Sequence, residues 1–197
     1  IHAVMHYLAP QWLPGEDAWV ELMNVLMLTP SAVLEGQGLG AASMVTSAFL
    51  HADGWHIFGN MLFLFFFGRK VEDMLGPGKF MLFYLVSVFV SGIGSVLIES
   101  LLPVTQGRIP GLGASGAVTA VMGAYLYLYH DQRIRTLMML AIVPVPIPIK
   151  MPVWFFVIFH TSKDIVGGWL EQALQEMGYQ YSLVGFFAHL SGFIAGM

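Results

Sequence analysis

The sequence predicts an all-α, polytopic transmembrane helix bundle. Three observations carry that prediction: an apolar composition, five apolar stretches close to spanning length, and most of the basic residues gathered in alternate loops. Hydrophobic residues make up 57% of the 197 and charged residues 10%, with a mean hydropathy of +0.73. Soluble domains carry roughly 25% charged residues, so this chain lacks the polar material to cover a water-facing surface. Lipid offers no partner to unpaired backbone, which favours helices as the spanning element.

The stretches fall at about residues 55–67, 80–102, 112–129, 151–167 and 182–197. Most approach the roughly 20 residues needed to cross hydrocarbon. The first is short and extends backward through 48–54 and forward through 68–75. Pro144, Pro146, Pro148 and Pro152 break helix and mark a connector before the fourth. The chain opens on Ile1 and ends at Met197 inside an apolar stretch, so it reads as cut at both ends, with 1–8 the tail of an upstream helix. The whole, 1–197, is expected to form one membrane domain.

Six of the eight Lys/Arg lie in two loops: Arg69, Lys70 and Lys79, then Arg133, Arg135 and Lys150. The positive-inside rule puts loops 68–79 and 130–150 in the cytoplasm. The acidic opening stretch, with Glu16, Asp17, Glu21 and Glu35, then faces outward. The first, third and fifth stretches therefore run in the same direction. His56 and Asn60 stand near the start of the first, Ser115 near the start of the third and His189 near the start of the fifth. Four polar side chains share one depth, below the outer face.

Those residue types suit acyl transfer. A serine hydroxyl becomes a nucleophile when a base takes its proton, and histidine is the usual base. His56 and Asn60, spaced i,i+4, share a helix face and offer donors for an oxyanion, beside the backbone N–H of Ser115. Gly113 and Gly116 let the backbone bend and a substrate approach; Gly192 and Gly196 form a Gly-xxx-Gly that presses one helix on another. Asp53 and Asp131, the nearest acids, sit at helix ends, which favours a dyad over a triad. His51 reads as structural, and His130 and His160 as interface residues. A Gly-Ala-Ser-Gly run alone is more often packing than catalysis. A metal site using His51, His56 and His189 is a poorer fit, because no His-Glu-x-x-His helix exists and 51 and 56 are off one face. No cofactor, metal or nucleic acid is implied. The absence of Cys excludes disulfides, a thiol nucleophile and thiolate metal sites.

At these residues the chain resembles the rhomboid intramembrane serine proteases. The match runs through His51-Ala-Asp-Gly-Trp-His56-Ile-Phe-Gly-Asn60, Gly68-Arg-Lys-Val-Glu72, Gly76-Pro-Gly-Lys79, Gly111-Leu-Gly-Ala-Ser115-Gly116 and Ala188-His-Leu-Ser-Gly192 with Gly196. The resemblance implies a six-helix core, its first helix largely missing here and its last truncated. It implies Ser115 as nucleophile, His189 as general base, and His56 and Asn60 in the oxyanion hole. It implies a multi-pass protein, in the inner membrane if bacterial, cleaving transmembrane segments of single-span or polytopic substrates near the outer face. Segment 10–45 becomes a first outward loop at the interface, and 162–181 borders the substrate entrance. A catalytically inactive relative that binds or routes membrane clients is the alternative. Two positions depart from the pattern. Ala42-Ser43 stands where many members have Trp-Arg, and Thr119 where many have a Tyr stacked on the catalytic His.

Overall fold

The computed structural model describes residues 16–101, 107–140, 143–176 and 185–197. The segment before the first apolar stretch folds into α1 (Glu16–Leu26), α2 (Pro30–Glu35), a 3-10 turn (Gly40–Ala42) and α3 (Ser43–Ser47). Pro30 at the first turn and the left-handed Gly36 delimit α2. Thr46 donates to the Leu26 carbonyl at 2.7 Å, and Ser43 to that of Gly40. The loop is thus anchored at the Ala42-Ser43 departure by hydroxyls. Of the expected interface loop at 10–45, residues 10–15 lie outside the described residues, as does the expected helix tail at 1–8.

Helix α4 (Gly54–Phe63) passes through a π-helical stretch (Leu64–Gly68) into α5 (Arg69–Leu75). The first apolar stretch is therefore helical from 54 to 75, and its expected backward extension is not: residues 48–53 turn, and Asp53 caps α4 by accepting from the His56 amide at 2.8 Å. Gly76, at φ 81, and Pro77 then start α6 (Pro77–Glu99). Helix α6 carries its large residues outward: Met81, Leu82, Leu85, Val86, Phe89, Ile93 and Leu97 are exposed. Ser87, Ser91, Ser95 and Glu99 are buried. This is the reverse of a water-soluble helix. Its 23 residues are long and apolar enough to span hydrocarbon.

The axis is α7 (Ser115–Tyr129), buried without a break from Gly116 to Leu126. Its composition explains the position: small or apolar residues around the whole circumference leave no face for water. Beyond it, the expected connector forms a hairpin, β1 (Arg133–Leu140) with β2 (Val143–Pro152), pairing Arg135 with Lys150. Next comes α8 (Val153–Glu176), then α9 (Phe186–Gly196). The fourth stretch thus does not end at 167. Residues 162–176 continue α8 because good helix formers follow Gly167-Gly168; residues 177–181 are outside the described set.

A core of Phe67, Val71, Val121, Met122, Tyr125, Leu126, Val153 and Val157 joins α5, α7 and α8 at the end of α7 away from Ser115. The π-helical stretch seats Phe67 edge-on against Tyr125, centroids 4.9 Å apart. His160 lies within α8 against Phe63, 4.6 Å between centroids, rather than at a segment end. At that same end of α7, the Tyr129 hydroxyl donates to the Lys70 carbonyl at 3.1 Å. At the opposite end Gly113 lies under His56. Contacts at both ends make α4–α5 and α7 parallel. Helix α9 is parallel to α7 too, since Gly192 faces Gly116 and Gly196 faces Ala120.

Candidate active site

The approach to Ser115 is held from the N-terminal segment. Leu28 and Gly111 exchange backbone bonds at 3.0 and 2.7 Å, and the Gly113 amide donates to the Ser47 carbonyl at 2.8 Å. Gly113 takes φ +117, which a side chain rarely tolerates, and a Cβ there would lie 2.8 Å from the His56 ring. The chain then turns into α7. Its first-turn amides, that of Ser115 among them, have no intrahelical acceptor and carry the positive end of the helix dipole.

Ser115 Oγ lies 2.6 Å from His189 Nε2. That is hydrogen-bond distance, at which an imidazole can take the hydroxyl proton. Two helices bring the pair together because their backbones nearly touch. A Cβ on Gly192 would overlap the Gly116 carbonyl, and one on Gly196 the Ala120 carbonyl. The contact continues at Thr119, whose hydroxyl is shared between the Gly116 carbonyl at 2.8 Å and the His189 carbonyl at 3.1 Å. Where a stacked Tyr was the pattern, this chain ties the His189 backbone directly to α7.

His56 and Asn60 stand one turn apart on α4. The Ala52 amide donates to His56 Nδ1 at 3.3 Å, so Nε2 carries the ring proton. That Nε2 and Ser115 Oγ lie 2.8 and 3.7 Å from the point a Gly113 Cβ would occupy. Asn60 is 7% exposed, and its Nδ2 has no partner among the described residues. A buried amide donor of this kind is costly to leave unmet, and it suits a ligand oxygen. His51 packs edge-on against His56, 5.1 Å between centroids. Asp131 lies past the far end of α7, 3.1 Å from His130. Among the described residues no three His, Cys, Asp or Glu cluster as metal ligands.

A cavity of about 40 Å³ opens beside Ser115, Ala114 and Gly113, bounded by Ser47, Ser91, Ser95 and Glu99. Ser95 donates its hydroxyl to the Glu99 carboxylate. Glu99 went unremarked in the sequence, although Ser87-Ser91-Ser95-Glu99 recurs every fourth residue and so marks one helix face.

Helices apolar on their outward faces, closing on a serine–histidine pair at hydrogen-bond distance, define a class: a helical bundle with the surface of a membrane protein. The family model described as the Rhomboid domain matches residues 40–197, and the chain belongs to the rhomboid family, whose members are membrane proteins and include intramembrane serine proteases. The chain is 33% identical over 156 residues to RHOMBOID-like protein 12, mitochondrial, of Arabidopsis thaliana, covering 74% of this chain and 43% of that protein. It is 34% identical over 98 residues to the putative rhomboid protease YdcA of Bacillus subtilis, 47% of this chain and 46% of the relative. It is 30% identical over 159 residues to the human presenilin-associated rhomboid-like protein, mitochondrial, 78% and 36% respectively. In each case the match spans less than half the relative's length.

Proposed function

We propose that the chain is a multi-pass intramembrane serine endopeptidase, and the 2.6 Å approach of Ser115 Oγ to His189 Nε2 carries the reading. The transmembrane segment of a client membrane protein enters from the bilayer, and its end unwinds near the outer face. Ser115 attacks the exposed carbonyl while His189 accepts the hydroxyl proton. The oxyanion is held by His56 Nε2–H, Asn60 Nδ2–H and the Ser115 amide. His189 then gives its proton to the leaving amine, and the C–N bond breaks. Water, deprotonated by the same ring, attacks the acyl-enzyme and returns Ser115. The chemistry asks for no metal or cofactor.

Support comes from the unpaired Asn60 amide, the His56 tautomer and the family. The test is cleavage of a membrane-anchored reporter in liposomes. Ser115→Ala should abolish it, and a serine-directed fluorophosphonate should label Ser115 in the folded protein. Undiminished cleavage by Ser115→Ala overturns the reading. Folded protein without label or cleavage favours the inactive client-binding relative.

A further inference from the structure

We propose that the β1–β2 hairpin is a docking surface for an anionic bilayer leaflet. Its apolar face lies in the membrane surface away from Ser115, and Arg133, Arg135 and Lys150 hold acidic phospholipid headgroups there. The inference goes beyond proteolysis and its test needs no turnover.

The register sorts the hairpin into two faces. Ile134 pairs with Met151 and Thr136 with Ile149, while Arg133 pairs with Pro152, Arg135 with Lys150 and Leu137 with Pro148. Opposed residues share a face, and successive pairs take opposite faces. Ile134, Thr136, Ile149 and Met151 lie on one face and are half-buried; Arg133, Arg135, Pro148 and Lys150 lie on the other and are exposed. The root fixes which way the faces turn. The Val153 amide donates to the Gln132 carbonyl at 2.9 Å, and Ile134 packs against the core cluster at the end of α7. The apolar face is thus turned toward the bundle, which is also the direction of the hydrocarbon around it. Strands of 8 and 10 residues carry that face onward for roughly 25 Å.

Two features call for such a surface. A lone two-stranded hairpin is marginal in water and needs something against its apolar face. Arg135 also stands directly opposite Lys150, with Arg133 on the same face, and like charges so placed destabilise a strand pair. Residues 132–152 contain Asp at none of their positions and Glu at none, and among the described residues the three cations form no ion pair. Headgroup phosphates supply the missing counter-charge. An amphipathic element with its apolar face at the acyl boundary puts its other face among those headgroups, within reach of long Arg and Lys side chains. A further protein strand is a poorer occupant, because Pro144, Pro146, Pro148 and Pro152 strip donors from the outer edge of β2.

The chain has no cysteine, so Ile149→Cys and Pro148→Cys each place a single nitroxide label, on opposite faces of the hairpin, in the full chain. Collision with oxygen, which concentrates in hydrocarbon, is compared with collision with an aqueous nickel chelate. The vesicles are phosphatidylcholine alone or an equal mixture with phosphatidylglycerol. In the mixture the label at 149 should favour oxygen over nickel far more than the label at 148. Each basic residue near acidic lipid is worth about fivefold in binding, so omitting phosphatidylglycerol should lower the preference at 149 at least about fivefold. Arg133→Gln with Arg135→Gln and Lys150→Gln should do the same, and Arg133→Lys with Arg135→Lys should not. Inorganic phosphate added to phosphatidylcholine vesicles should not substitute for the lipid. Labels at 148 and 149 equally open to nickel overturn the proposal, since the hairpin then stands in water. A label at 149 closed to both reagents also overturns it, because protein, such as a second copy, then covers the face. An oxygen preference at 149 that ignores phosphatidylglycerol overturns the headgroup assignment.

Discussion

Thr119 Oγ1 lies 3.1 Å from the carbonyl oxygen of His189, joining the helix that carries Ser115 to the one that carries the imidazole. The bond fixes the His189 backbone rather than its ring. Thr119→Val keeps the volume and removes the donor. Side-chain hydrogen bonds between membrane helices average about 0.6 kcal/mol, with a maximum near 1.7. Thermal unfolding in detergent should therefore shift little, while reporter cleavage falls about three- to tenfold as the 2.6 Å Ser115–His189 distance loosens. Restoring the family's usual residue does not help: Thr119→Tyr places a ring where a Gly192 Cβ would already meet Thr119 at 3.0 Å. It should cost more than Val in both measurements.

The His56 tautomer makes a second prediction. With Ala52 N–H on Nδ1 at 3.3 Å, only Nε2–H points onward as a donor. His56→Phe should lower kcat by about 10²–10³, the usual loss for an oxyanion donor, and Asn60→Ala should act in the same direction. Both should slow fluorophosphonate labelling of Ser115. A fall in labelling for neither variant would move the oxyanion site elsewhere.

The four polar residues of the candidate site stood out in the sequence because each is costly in lipid, and span parity placed them at one end. Ser115, His189 and His56 do converge in the structure, and Asn60 lies one turn from His56. The hairpin was not legible. Pro144, Pro146, Pro148 and Pro152 read as helix breakers, yet they recur with the two-residue period of a strand. Each therefore turns its missing donor to the same edge, and the ladder with β1 survives. The length of α8 was hidden by Ser162, Lys163 and Asp164, which end an apolar count without ending a helix. Glu99 was hidden for the opposite reason. It sits at a span's end, where an acid reads as solvated, and only tertiary packing buries it to 6%.

Close helix contact predicts a contrast between glycines. Gly192→Ala adds a methyl where the Gly116 carbonyl already lies, so α7 and α9 must part. Overpacking of this kind typically costs about 1–3 kcal/mol, and any parting also separates Ser115 from His189. Gly167→Ala on α8 meets nothing within 4 Å and removes backbone freedom worth about 0.5–1 kcal/mol in a helix. Thermal unfolding should fall for the first and hold or rise for the second. Activity should be lost only for the first.

Asp53 links stability to site geometry in a single hydrogen bond. Its carboxylate accepts from the His56 amide at 2.8 Å, which starts α4 and sets the first turn on which His56 is mounted. Asp53→Ala should cost about 1 kcal/mol of stability, as for other N-caps. Its activity should fall further than Gly167→Ala ever does, because the His56 backbone is freed next to Ser115. Asp53→Asn and Asp53→Ser keep an acceptor at the cap and should recover most of both losses. A variant series in which stability recovers but cleavage does not would assign the Asp53 charge, rather than its capping bond, to the site.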